Sequence, residues 1–291
     1  MTRLAPCTPV TLAARALGRG LAQRLRATDR RGRIHSAFAR AVNVEWLEPG
    51  GGLLTLHGPS PLAAPFAMAL TAWPDAHHMA AWELEPGLPV FSSEDRLVAG
   101  GLEVEWRGVP VTDLRVTPGA EHARATRDRL VNALASFAHP AGAAGLASLA
   151  GCAARAAAAR AIRDRDSRSL ARAARSLMGL GEGLTPAGDD WLVGTLAALH
   201  RLGQHWAFAD GHLASVLVGE ATERTTTIGA AFLAHALAGE FSEPARDLVT
   251  AESLPRARAA AARLAAMGAT SGADTLAGMR TALEALAAPG A

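Results

Sequence analysis

The chain has 291 residues and a formal net charge of +2, and all 29 residues counted as Lys+Arg are Arg; Lys and Tyr are both absent. A Walker-type phosphate loop needs a Lys, as do Schiff-base and pyridoxal phosphate chemistry, and a Tyr general acid is excluded as well. Any bound anion must therefore be held by Arg, hydroxyls, backbone N–H groups or a metal. Hydrophobic residues make up 49%, enough to bury a core at a length that suits one large domain or two small ones. The near-balance of 29 Arg against 27 Asp+Glu leaves no electrostatic footprint for nucleic acid. Cys7 and Cys152 do not make a disulfide framework, which points to a reduced, cytoplasmic protein. Arg15, Arg19, Arg24 and Arg26 interrupt the N-terminal segment, so no signal peptide is expected. No run of about 18 uncharged apolar residues suggests a membrane span.

In chain order, residues 11–28 read as a first helix, with Leu12, Ala16, Leu21 and Leu25 on one face. Ile34, Phe38, Val42, Val44, Trp46 and Leu47 then show partial alternation. Pro49-Gly50-Gly51-Gly52 makes a turn into a strand at 53–57. Three further short strands are expected at 96–100, 102–106 and 109–116. Short strands with Gly/Pro punctuation point to a small sheet or incomplete barrel. From Pro118 the β signals fade, and helices are expected at about 121–137, 145–161, 167–178, 187–203, 209–222, 225–239, 244–252, 255–267 and 272–287. The reading is α+β: a β-rich N-terminal domain over 1–118, then an α-helical domain over 119–291.

Arg155–Arg175 carries seven Arg. Arg165, Arg168, Arg172 and Arg175 form one stripe at helical spacing, a solvated face by ordinary charge patterning. The segment lacks aromatic residues, which argues against single-stranded nucleic acid.

The chemistry is best sought in Gly179-Leu180-Gly181-Glu182-Gly183-Leu184-Thr185-Pro186-Ala187-Gly188-Asp189-Asp190-Trp191-Leu192-Val193-Gly194. Three glycines make a loop that can approach a ligand closely. Thr185 suits an N-cap and Pro186 the first helical position. A Gly-rich loop entering a helix N-terminus can bind an anion through free N–H groups and the helix dipole. Adjacent helical residues point about 100° apart, so Asp189 and Asp190 are expected to do different jobs.

A second segment, Gly268–Gly278, repeats G-x-D-x-L-x-G: Gly188/Asp190/Leu192/Gly194 recurs as Gly272/Asp274/Leu276/Gly278, offset by 84 residues. Ser271-x-x-Asp274 also fits a capping box with Asp in place of Glu. The alternative is two loops facing one cleft, with Gly194 and Gly278 letting their helices pack closely. A third segment, Glu223-Arg224-Thr225-Thr226-Thr227, offers Arg224 with hydroxyls as a carboxylate or phosphate clamp, or an N-cap beside a salt-bridged Arg. His77-His78 has no HExxH context, and His200, His205 and His212 lack metal-site spacing. Neither a G-x-S-x-G elbow nor a G-x-G-x-x-G after a strand occurs.

Gly183–Leu192, Arg224–Thr226 and Ser271–Asp274 together resemble the motifs of a bacterial family catalogued as a domain of unknown function. Its pattern is Gly-Leu-Thr-Pro-Ser-Gly-Asp-Asp-Phe-Leu, then Arg-Thr-Thr, then Ser-Gly-x-Asp. Ala187 stands here where Ser is usual, and Trp191 where Phe is usual. The match spans roughly 179–278. The family includes the AllH-type subunit of a three-component oxamate carbamoyltransferase, which converts oxalurate and phosphate to oxamate and carbamoyl phosphate in anaerobic allantoin breakdown.

The resemblance implies a subunit of such a complex, with FdrA-like and other subunits as partners and a small anionic substrate. Gly181, Gly183, Thr185, Gly188, Thr225, Thr226, Ser271 and Gly272 would bind that substrate. Arg224 would neutralise developing charge, while Asp189, Asp190 and Asp274 would orient Arg224, bind Mg²⁺ or position a ureido N–H. Two other readings stand beside it. One is a stand-alone Mg-dependent hydrolase similar in style to ADP-ribosylglycohydrolases. The other is a non-catalytic scaffold.

Overall fold

The computed structural model describes residues 10–27, 29–48, 51–59, 63–73, 84–119, 123–137, 146 and 149–287. The chain divides into two compact units, Met1–Leu114 and Arg115–Ala291. The class is α+β: among the described residues, strands lie in the first unit and, apart from α1, helices lie in the second.

Among the described residues, nine strands build the first unit: β1 (Val10–Gly18), β2 (Arg30–Phe38), β3 (Ala41–Trp46), β4 (Leu53–His57), β5 (Ala67–Leu70), β6 (Pro89–Ser93), β7 (Arg96–Ala99), β8 (Leu102–Glu105) and β9 (Val111–Thr112). Their order is β5-β4-β3-β2-β6-β7-β8-β1-β9, and β1 also pairs with β5, so eight strands close into a barrel. Closure falls to β1. Val10–Ala13 run parallel to β8, and Ala14–Leu17 run antiparallel to β5 across an irregularity between Ala14 and Ala16. A closed barrel leaves no exposed sheet edge between its members.

This corrects the helix expected over 11–28. Val10–Gly18 is a strand, and only Arg19–Ala27 is helical (α1). Unpaired strands on both sides of β1 offer it a full set of hydrogen bonds, and that tertiary gain overrides the helix propensity of Ala and Leu. Leu21 and Leu25 of α1 join Leu17, Val44, Leu56, Met68, Val104 and Trp106 in one buried cluster. The last strand is also shorter than the expected 109–116.

The second unit contains α2 (Ala123–Leu134), α3 (Leu149–Arg163), α4 (Ser167–Leu177), α5 (Ala187–Arg201), α6 (His212–Leu217), α7 (Ala221–Arg224), α8 (Thr227–Leu237), α9 (Glu243–Thr250), α10 (Leu254–Ala265) and α11 (Ser271–Ala285). The single helix expected over 209–222 is two short ones, broken around Gly219. Helix α5 is buried from Ala187 through Leu199, which marks it as the centre of the unit rather than a surface helix. Among the described residues, no helix is long and apolar enough to cross a membrane.

Candidate functional site

The Gly-rich loop enters α5 along a path that its glycines permit. Gly179, Gly181 and Gly183 have φ of 74°, 117° and 93°, a region in which a side chain is strained. A Cβ on Gly179 would lie 1.9 Å from Arg224 O, and one on Gly188 would lie 1.9 Å from Leu177 O. These glycines hold the loop against its neighbours.

The expected N-cap differs. Helix α5 begins at Ala187, and Pro186 occupies the cap position without a side-chain bond. Thr185 Oγ1 instead lies 2.7 Å from Ser271 Oγ. The first-turn amides are taken by backbone: Gly188 N donates to Leu180 O at 2.8 Å, and Asp189 N and Asp190 N donate to Pro186 O at 2.9 and 3.2 Å. The loop's own carbonyls thus occupy the N–H groups expected to cradle an anion. The expected capping box at Ser271 does not form, and α11 has no side-chain cap bond. Thr270 is the N-cap of α11, and its hydroxyl bonds the Asp274 carboxyl.

The paired carboxylates part ways. Asp189 is 1% exposed; its Oδ1 accepts from Gly179 N at 2.8 Å, and its Oδ2 accepts from Thr225 Oγ1. Burial pushes its pKa up while those two bonds pull it down. It ties the Gly loop to the Arg-Thr-Thr segment. Asp190 is 7% exposed, and its Oδ2 is buried without a hydrogen-bond partner. Burial pushes its pKa up to about 8, against opposing bonds from Ser271 and Thr185 and with added repulsion from Asp274 and Asp189. A carboxyl in this state is largely protonated at neutral pH and can both donate and accept.

Asp190 lines a cavity of about 220 Å³ with Thr185, Ser271, Gly272, Glu240 and Ser242 as neighbours, and with Val193, Phe232, Phe241, Leu264 and Met267 as apolar wall. That volume is below the 300–1,000 Å³ typical of drug-sized ligands and suits a small metabolite.

The remaining predicted residues distribute as follows. Thr226 caps α8 by accepting from Gly229 N at 2.9 Å, and its hydroxyl donates to Leu184 O at 2.5 Å. Asp274 is buried with an unpartnered Oδ2 and a pKa raised by burial, yet it is not on the cavity wall. Arg224 is also off the wall; its Nε donates to Glu220 Oε2 at 2.7 Å, and Glu220 also holds Arg175 of the arginine stripe. Gly181 and Gly183 shape the loop and do not line the cavity. His77-His78 lies outside the described residues. His200 is held by Leu237 O at 3.2 Å and stacks on Phe208. Among the described residues, no group of three or more His, Cys, Asp or Glu side chains is arranged to hold a metal ion.

Glu240 and the aromatic walls Phe232 and Phe241 were not foreseen. Glu240 sits where a helix end and turn were expected, and no spacing in the sequence ties it to Asp190.

Residues 177–283 match a family model described as oxamate carbamoyltransferase subunit AllH, and residues 11–111 match one described as the AllH family N-terminal domain. No curated protein and no solved structure is similar enough to register as a match. The two models fall on the barrel and on the helical unit that carries the cavity, and the chain belongs to the AllH family, whose description is that of an oxamate carbamoyltransferase subunit.

Proposed function

We propose that this chain seats the carbamoyl-bearing substrate in an oxamate carbamoyltransferase-type complex, which transfers a carbamoyl group between an oxalurate-type ureide and phosphate. The observation that carries the reading is Asp190: a buried carboxyl whose Oδ2 has no protein partner and which lines a small, apolar-walled cavity. A buried polar atom left unpaired costs roughly 1–3 kcal/mol, and a bound ligand removes that cost. A carbamoyl group presents a C=O acceptor beside an N–H donor. A protonated carboxyl presents the complementary pair, so the two can join through two parallel hydrogen bonds.

The anionic end of the substrate is drawn toward the N-termini of α5 and α11, which supply Thr185, Ser271 and Gly272 at the cavity and whose dipoles favour negative charge. Among the described residues, no Arg lines the cavity. Neutralising phosphate during transfer falls to partner subunits, FdrA-like proteins among them.

The test is to isolate the chain from its native host with whatever co-purifies and to assay oxalurate phosphorolysis. Asp190→Leu keeps the approximate volume but removes the donor–acceptor pair, and a loss of 100-fold or more in kcat/KM with intact assembly is expected, on the order of 2.7 kcal/mol or more. Full activity of the variant in an intact assembly would sink the site assignment. A chain that always purifies alone and binds no ureide would sink the whole reading.

A further inference from the structure

The cavity that holds Asp190 has a second carboxylate on its wall. Glu240 follows Gly239, whose φ is 81°, at the end of α8. Its backbone N donates to His235 O at 2.8 Å, so the chain folds back on the last turn of the helix. That return brings the side chains together: His235 Nδ1 lies 2.8 Å from Glu240 Oε2, and Arg115 Nε lies 3.6 Å from Glu240 Oε1. Arg115 and Glu240 are also joined by an isolated backbone bridge. Glu240 is 8% exposed.

A carboxylate is expensive to bury, and three separate restraints hold this one at a cavity wall that is otherwise largely apolar. A carboxylate can accept about four hydrogen bonds. His235 and Arg115 take part of that capacity, and the side chain lines the cavity, where a ligand N–H can reach it. Asp190, the unpartnered acid that is more than nine-tenths buried, marks the same cavity as a ligand site independently.

We propose that Glu240 is the second substrate-contacting carboxylate of this cavity, and that His235 and Arg115 are positioning residues that aim it. The inference rests on the reading that the Asp190 cavity takes the carbamoyl-bearing substrate, and it adds how a ureide is told from a simple carboxamide. A ureido group has one carbonyl oxygen and N–H groups on two nitrogens. Asp190 engages the carbonyl and one nitrogen, and Glu240 accepts from the other. A carboxamide without the second nitrogen engages Asp190 alone. Selectivity then resides in Glu240 and common affinity in Asp190. A site built to bond an N–H rejects an analogue that lacks it, because a buried acceptor is left unpaired.

Calorimetric titration of the full chain with oxalurate and with oxamate tests this. Wild type is expected to bind oxalurate more tightly. Glu240→Gln should weaken oxalurate about tenfold and oxamate less than about twofold, in line with one charge-assisted hydrogen bond. Asp190→Leu, which removes both the donor and the acceptor, should weaken both. His235→Ala should lose part of the oxalurate preference, and His235→Gln, which keeps an N–H donor toward Glu240, should restore it. A merely structural histidine would not move that ratio. Should Glu240→Gln fail the thermal-denaturation check for folding, Glu240→Asp keeps the charge, withdraws the carboxylate by one methylene and should likewise lose the preference. An equal loss of both ligands in the Glu240 variants, or an unchanged ratio, overturns this inference and leaves the Asp190 reading standing. A wild-type chain that binds neither ligand overturns both.

Discussion

Gly194 and Gly278 meet at the crossing of α5 and α11, each seated on the other helix's backbone. A Cβ on Gly194 would lie 1.8 Å from Thr275 O, and one on Gly278 would lie 1.8 Å from Trp191 O. The contact is quasi-twofold: Thr275 follows Trp191 by the same 84 residues that separate Gly278 from Gly194. Thr195 adds a bond across it, donating to Gly278 O at 3.2 Å. This close approach sets α5 against α11, and with it the loops that carry Thr185 and Ser271.

Gly194→Ala and Gly278→Ala should each destabilise the chain by at least about 3 kcal/mol, because the obstacle is a backbone carbonyl that no rotamer change can clear. Urea denaturation measures this. An alanine in the open space beside Gly183 should cost only about 1 kcal/mol, from its positive φ. Equal costs at 183 and 194 would contradict the crossing geometry.

Asp189 and Asp190 should separate in the same experiment. Asp189→Ala strands the Gly179 N–H and the Thr225 hydroxyl, a loss of about 2–4 kcal/mol. Asp190→Asn removes no bond from the Gly loop and should not lower stability at neutral pH, since it also removes the cost of burying an ionisable carboxyl. If Asp189→Ala leaves the melting temperature unchanged, the tie between the Gly loop and the Arg-Thr-Thr segment is not a stabilising one.

What the sequence made legible follows from where local rules decide. The helix starts near 187 and 271 and the shared G-x-D-x-L-x-G pattern were readable because glycine and helix periodicity act over a few residues. The close packing at Gly194 and Gly278 was readable for the same reason. The strand at 10–18 was not, since its Ala and Leu favour a helix until two neighbouring strands supply partners. Thr185 suited an N-cap by type, but the choice between capping and bonding Ser271 was made 86 residues away. Glu240 was hidden because only a tertiary fold-back on His235 turns an ordinary helix-end glutamate into a cavity residue. Arg224 was read either as a clamp or as a salt-bridged Arg beside an N-cap, and the second arrangement is the one present: Glu220 one turn earlier takes its guanidinium, and Thr226 caps the next helix.

The Thr185 and Ser271 hydroxyls bond the Asp190 carboxyl and pull its pKa down against burial. Ser271→Ala should therefore raise it further, above about 8, and Thr185→Val should do the same. Carboxyl ¹³C shifts of Asp190 followed through a pH titration read this directly. A pKa that falls in either variant would show that these hydroxyls favour the protonated form instead.

Asp190 also predicts how stability varies with pH. Its ordinary value of 3.8 applies in the unfolded chain, and about 8 applies in the fold. Between those values the folded chain holds a proton that the unfolded chain has released, so stability is greatest at the acid end of the window. It falls as pH rises, and the contribution levels off above about 8. The largest slope one such group can give is about 1.4 kcal/mol per pH unit. Asp189 and Asp274 are shifted in the same direction, so the wild-type slope alone does not isolate Asp190. The difference between wild type and Asp190→Asn does. Urea unfolding from pH 5 to 8 should show the variant losing less stability than wild type, with the curves diverging steadily up to about pH 8. Parallel curves would mean that Asp190 is ionised throughout, and the neutral carboxyl on which the substrate reading depends would then be absent.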